Sequence, residues 1–176
     1  MSKRVLAAVC LVALFISSLP VVQAAEPRAA TPVADLGRLR VSEDDGVAVQ
    51  ELHRWLTARG MEATVNGSSI VYRRGLLLNI TPLSGEGGVD RLMFRAYYNP
   101  AEQFLNKPEL LALVTKANAA QNLLQVFIDR DGDVAIGSNL TFVDEFSAKE
   151  FDAFADLFVE VVKTYVLTDE LVDMLK

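Results

Sequence analysis

Apolar positions along the chain follow two periods, and the switches between them mark out the elements. Val49, Leu52 and Leu56 recur at i, i+3 and i+7 behind Ser42-Glu43-Asp44-Asp45. A cap candidate followed by acids suits a helix start, and Gly60 supplies the stop. Shorter β-rich runs come next: residues 61–65 leading into Asn66-Gly67, residues 69–73 punctuated by Gly75, and residues 76–81. After a glycine-rich connector over 84–88, a fourth run covers 90–98 and ends at Asn99-Pro100. Helical spacing returns over 108–120, where Leu110, Leu113, Val114 and Ala117 share a face. A hairpin is predicted from 123–129 and 133–140, with Asp131-Gly132 supplying the positive φ angles of a tight turn.

The final helix has the clearest start. Ser147 and Glu150 fit a capping box, and Phe146 and Phe151 fit a hydrophobic staple. Phe151, Phe154, Phe158, Val161, Val162 and Tyr165 give this helix a broad aromatic face, and Leu171 and Leu175 suggest a short closing helix. The order is helix, three or four strands, helix, hairpin, helix. That order predicts an α+β fold, a two-layer domain with a mostly antiparallel sheet packed against helices.

The first residues follow a different grammar. Lys3 and Arg4 precede an apolar stretch over 5–16, Pro20 breaks it, and Val22-Gln23-Ala24 places small residues at a cleavage site. Residues 1–24 are therefore expected to be a signal peptide cut between Ala24 and Ala25, followed by a flexible leader over 25–41 and a single domain over 42–176. Ser17, Ser18 and Pro20 leave the apolar run short of the ~20 residues that span a bilayer, which favours cleavage over the alternative of an uncleaved anchor, and no membrane span is expected after cleavage. Export makes the location periplasmic or secreted. It removes Cys10, the single cysteine, and with it any disulfide or thiolate chemistry. It also removes two positive charges and no acid, taking the net charge from −6 to −8. Such a chain repels phosphate backbones, which argues against nucleic-acid binding.

Candidate catalysts are sparse. His53, the single histidine, sits on the first helix with no serine or cysteine motif beside it. Asp129-Arg130-Asp131-Gly132-Asp133 sets alternate carboxylates at a turn, but the sixth and twelfth places of a calcium loop hold Val134 and Leu140 instead of glycine and glutamate. Gly85, Gly87 and Gly88 precede a strand and lack the lysine of a phosphate loop. No cofactor or metal is expected.

The sheet carries the functional reading. Leu92, Phe94 and Ala96 alternate with Met93 and Tyr97, and Leu124, Val126 and Ile128 with Leu123 and Phe127, so both faces bear large apolar groups. Helices can cover one face. The other calls for a cover, which the chain itself, a second subunit or a client could provide. Met93, Tyr97 and Phe127 are the candidate partner contacts, with Arg95 placed to orient an acidic group of the partner.

The segment Leu111-Ala112-Leu113-Val114-Thr115-Lys116-Ala117-Asn118 with Asn122, the run Val126-Phe127-Ile128-Asp129-Arg130-Asp131-Gly132-Asp133-Val134 and the helix entry that follows resemble the YbjN-domain family, whose fold is similar to type III secretion chaperones. The resemblance covers residues 42–166. Ala119, Ala120 and Gln121 depart from the aromatic and basic residues common there in the family. The resemblance implies a non-enzymatic regulatory or signalling domain, dimeric like its chaperone-like relatives, that binds an extended protein segment. Two other functions compete with it. One is a carrier of small apolar ligands with the phenylalanines lining its pocket; the other is a metal-dependent enzyme using Asp129, Asp131 or Asp133. If the export signal is real, N-terminal sequencing of the protein recovered from cells begins at Ala25, and a start at Met1 or Ser2 contradicts it.

Overall fold

The structure is a computed structural model that describes residues 36–85 and 90–175. The expected signal segment and residues 86–89 of the glycine-rich connector lie outside the described residues. The elements are β1 (Arg38–Arg40), α1 (Asp45–Ala58), β2 (Ala63–Asn66), β3 (Ser69–Arg74), β4 (Leu76–Leu83), β5 (Asp90–Tyr98), α2 (Pro108–Ala120), β6 (Gln125–Ile128), β7 (Val134–Phe142), β8 (Glu145–Ser147), α3 (Ala148–Val161) and α4 (Asp169–Val172). A π turn over Val162–Val166 joins the last two helices. The fold is α+β, as the pattern predicts.

Six strands form one antiparallel sheet in the order β2-β3-β4-β5-β7-β6. Alternation assigns its faces. Ile70, Tyr72, Leu78, Ile80, Leu92, Phe94, Ala96, Val126, Val134 and Ile136 are buried and belong to the same apolar cluster as the helix stripes. The stripes are Val49, Leu52, Trp55 and Leu56 from α1, Leu110, Val114 and Ala117 from α2, and Phe151, Ala155 and Phe158 from α3. All three long helices therefore lie on one face.

Phe151 is the centre of this layer. Its ring lies 5.3 Å from Trp55, 5.6 Å from Phe94, 6.0 Å from Tyr72 and 6.0 Å from Phe146, so α1, α3, β3, β5 and β8 meet around it. Offset and edge-on ring contacts add specific geometry to area burial. The start of α3 puts Phe151 there: Ser147 Oγ accepts from Glu150 N at 3.1 Å, Glu150 Oε2 accepts from Ser147 N at 2.7 Å, and Phe146 stacks on Phe151 as the staple requires.

Ion pairs fix the outer side of α3. Arg74 holds Asp156 through two bonds of 2.6 and 2.7 Å and Asp152 at 2.9 Å, and Arg59 reaches the other oxygen of Asp152 at 2.5 Å while its guanidinium lies 4.2 Å from the Trp55 ring centroid.

Three local expectations change. The leader assigned to 25–41 ends in a strand: β1 pairs with β8, setting Leu39 opposite Phe146, with Arg38 on Glu145 and Arg40 near Asp144. Two arginines around one leucine gave no alternation to read. In the loop after β6 only Gly132 has positive φ, at 90°. Asp129 Oδ1 accepts from Asp131 N and Asp133 N, both at 3.0 Å, so an aspartate-organised loop replaces the two-residue turn. The turn between β2 and β3 uses Gly67, at φ 59°, and Ser68, because Asn66 is already paired with Ser69.

Phe151→Ala should cost about 3–5 kcal/mol in urea unfolding, the usual loss for a fully buried aromatic ring. The acid side of the stability profile has a second test. The hydrogen bonds from Arg74 lower the Asp156 pKa, and the backbone and hydroxyl of Ser147 lower that of Glu150. A carboxylate with a depressed folded pKa adds stability above its unfolded value, near 4, and loses it as pH falls through the folded value. The stability gap between the native chain and Asp156→Asn should therefore be present at neutral pH and shrink below about pH 4.

Candidate functional site: the open face of the sheet

With the helices committed to one face, the outward positions of the six strands form the other. One rung runs across the whole sheet as Thr64, Val71, Asn79, Arg95, Gly137 and Gln125. Beside it, Arg73 pairs with Leu77, and Tyr97 with Ala135 and then Phe127. On the other side follow Thr81–Met93–Asn139 and Leu83–Arg91–Thr141. No described helix covers these positions. Leu77 is 49% exposed and Tyr97 39%, while Met93, Arg95 and Phe127 are half-buried by their neighbours.

The four predicted contacts are brought onto one face, and three of them touch. Arg95 Nη1 donates to Tyr97 Oη at 3.3 Å, and its guanidinium carbon lies 6.0 Å from the Phe127 ring centroid. The two side chains sit on strands either side of β7, whose outward residues here are Ala135 and Gly137. Both are small and buried, and the position of a Gly137 Cβ would lie 3.7 Å from Arg95 Cγ. Small residues on β7 thus let Arg95 lean across toward Phe127. Met93 lies one rung further along β5.

The face is less apolar than its two best strands suggested. Asn79, Thr81, Asn139 and the arginines at 73, 91 and 95 share it with Leu77, Val71 and Met93. Leu77 escaped sequence reading because β4 opens Leu76-Leu77-Leu78, where an unbroken apolar run hides which leucine faces out, and Val71 and Arg73 are placed only by the pairing of β3 with β4. An open groove of about 450 Å³ lies at one end of the face, lined by Glu62, Ala63, Thr64, Val71, Arg73 and Leu77.

Both edges of the sheet carry side-chain caps. At β6, Asn118 Oδ1 accepts from Val126 N at 2.9 Å and its Nδ2 donates to Val126 O at 2.7 Å, so the carboxamide occupies the place of a neighbouring strand. Gln121 Oε1 accepts from Leu123 N and Leu124 N, and its Nε2 donates to Leu124 O at 2.9 Å. At β2, His53 Nε2 donates to the Ala63 carbonyl at 3.1 Å. These contacts give His53 and Asn118 structural work and protect edges that would otherwise template another chain.

A family model described as "YbjN: Putative bacterial sensory transduction regulator" matches residues 48–169. The chain belongs to the YbjN family. The crystal structure of YbjN from E. coli, titled a putative transcription regulator, superposes with a TM-score of 0.53 at 15% identity, covering 72% of this chain and 94% of that one. At that identity the likeness shows the shared fold. No curated protein matches the sequence significantly. In this YbjN domain the asparagine-bearing helix end quoted from the sequence has a physical role as the cap of β6.

The other candidate chemistries find different uses. The Asp129 carboxylate accepts from backbone amides, and Asp133 Oδ1 accepts from Asn99 Nδ2 at 2.7 Å. Among the described residues no three His, Cys, Asp or Glu side chains converge as a metal site. No helix of the described residues is long and apolar enough to cross a membrane.

Asn118→Ala removes three hydrogen bonds, one to the Val114 carbonyl within α2 and two that leave the Val126 amide and carbonyl stranded. Urea unfolding should show a loss of about 2 kcal/mol. Asn118→Asp should also destabilise, because a carboxylate keeps the acceptor for Val126 N but opposes its carbonyl. Unchanged midpoints in both variants would refute the edge-cap role.

Proposed function

We propose that this YbjN domain is an exported, non-enzymatic binding module that engages a protein partner through the open face of its sheet. The observation that carries the reading is the Arg95–Tyr97–Phe127 cluster, set beside exposed Leu77 on a face that no described helix covers. Aromatic and arginine side chains held in place by neighbours are the residue types that anchor protein interfaces. The capped edges argue for docking on the face, because strand addition at β6 would have to displace Asn118. The family description as a regulator agrees with a binding role. The Lys3-Arg4 start, the apolar stretch and the small residues at 22–24 support export.

The ligand-carrier alternative is weaker. The phenylalanines proposed as pocket lining pack on one another: Phe94 lies 5.0 Å from Phe154 and 6.1 Å from Phe158, and Phe158 is fully buried. The depression between α2 and the π turn, near Leu113, Lys116 and Tyr165, measures about 140 Å³. Pockets for drug-sized ligands typically hold about 300–1,000 Å³ and enclose the ligand; the 450 Å³ groove on the sheet has that volume but is open to solvent and contains none of the phenylalanines.

Photo-crosslinking tests the docking face in the native host. A benzoyl-phenylalanine at Tyr97 or Leu77 should give a discrete protein adduct, and the same probe at Leu157, equally exposed on α3, should not. Adducts at Leu157 with none at Tyr97 or Leu77 would overturn the proposal. An adduct of twice the chain's mass would make the face a self-association surface instead.

A further inference from the structure

The outward row of β5 reads Arg91, Met93, Arg95, Tyr97: cation, apolar, cation, apolar. Arg73 on β3 adds a third cation to the same face. No described strand residue on this face is acidic, and Glu62 stands only at the rim of the groove. This is an unusual distribution for a chain with 23 acids against 17 basic residues. On the rest of the domain the arginines are largely spoken for: Arg59 and Arg74 hold Asp152 and Asp156, and Arg38 and Arg40 face Glu145 and Asp144. Among the described residues, Arg73, Arg91 and Arg95 have no carboxylate partner. Arg95 is also oriented in advance by Tyr97 Oη and the Phe127 ring, with guanidinium donors left over.

Resting on the docking-face reading, we infer that the partner is an extended acidic protein segment with carboxylates four residues apart and apolar side chains midway between them. Strand geometry sets the spacing. Side chains two apart on β5 are roughly 6.7 Å apart, so Arg91 and Arg95 are roughly 13 Å apart, the repeat of every fourth residue in an extended peptide. Carboxylates would meet the two guanidinium groups, and the apolar side chains between them would meet Met93 and Tyr97. Charge argues against the other occupants. A second copy docked symmetrically through this face would bring six arginines into one interface to which no described strand residue adds a carboxylate. A nucleic acid would meet the negative field of the whole chain with only three cations to hold it.

The test uses the chain with a fluorescent dodecapeptide of three Glu-Ser-Leu-Ser repeats and its Gln-Ser-Leu-Ser counterpart, read by anisotropy. The acidic peptide should bind about tenfold more tightly at low salt, with the gap closing as salt rises to about 500 mM. Arg91→Gln with Arg95→Gln should erase the gap, and Arg91→Gln alone, at an exposed site, should halve it or more. Removing the same charge from the helices, by Arg54→Gln with Lys149→Gln, should leave it intact. If both peptides bind equally and Tyr97→Ala abolishes both, the acidic specificity is wrong while the docking face stands. If neither binds, or binding ignores every substitution on the face, both are wrong. Tighter binding of an oligothymidylate through the same arginines, or dimerisation that Arg95→Gln abolishes, would overturn the acidic segment as the occupant.

Discussion

The packing of aromatic rings around Phe151 is the constraint on which the rest of the molecule depends. One side chain, delivered by the capping box and staple at Ser147–Glu150, touches rings from α1, β3, β5 and β8. A sheet has two faces, and the described residues hold three long helices. Two of them meet around Phe151, α2 packs beside them over β6, and the described residues leave the other face without a helical cover. The open face follows from where the aromatic residues lie.

A sheet left open on one side is exposed to two hazards, uncontrolled pairing at its edges and non-specific association through its surface. The molecule answers them differently. Carboxamides from Asn118 and Gln121 stand in for a further strand at β6, and His53 does part of the same at β2. The face is interrupted by polar residues, among them Asn79, Thr81 and Asn139, and by arginines that repel their own kind. What remains is a surface with restricted stickiness: a few apolar and aromatic groups whose neighbours ask for negative charge. That combination is what the proposed docking role requires.

Much of this architecture was legible in the sequence because it is local. Capping box, staple, most of the helix stripes and the alternation of β5 depend on residues a few positions apart and appear in the structure; Tyr165, read as part of the last stripe, is exposed because the helix opens into the π turn there. The outward placement of Met93, Arg95, Tyr97 and Phe127 was legible for the same reason. What could not be read depends on register between strands distant in sequence. Nothing near Gly137 says that Arg95 will lean over it, and nothing near Asn118 says that its amide will meet Val126. The three residues of β1 reveal themselves as a strand only once β8 is beside them, and Leu76-Leu77-Leu78 hides its outward member until β3 and β5 fix the pleat. Sequence reasoning accordingly found an apolar face that carries Arg95, while the register adds Val71, Arg73 and Leu77 to it.

Thiol reactivity tests most directly whether that face is free. In a Cys10→Ser background, cysteines placed singly at Leu77, Tyr97 and Leu78 separate the two faces, Leu77 and Leu78 by the pleat alone: the first two face outward and Leu78 is fully buried under the helices. Leu77→Cys and Tyr97→Cys should react with a thiol reagent in the native chain at close to the rate of an exposed helix position such as Leu157→Cys, while Leu78→Cys reacts only on unfolding. Protection at Leu77 and Tyr97 as strong as at Leu78 would mean that the chain or a second copy already covers the face, and would contradict its role as a docking surface.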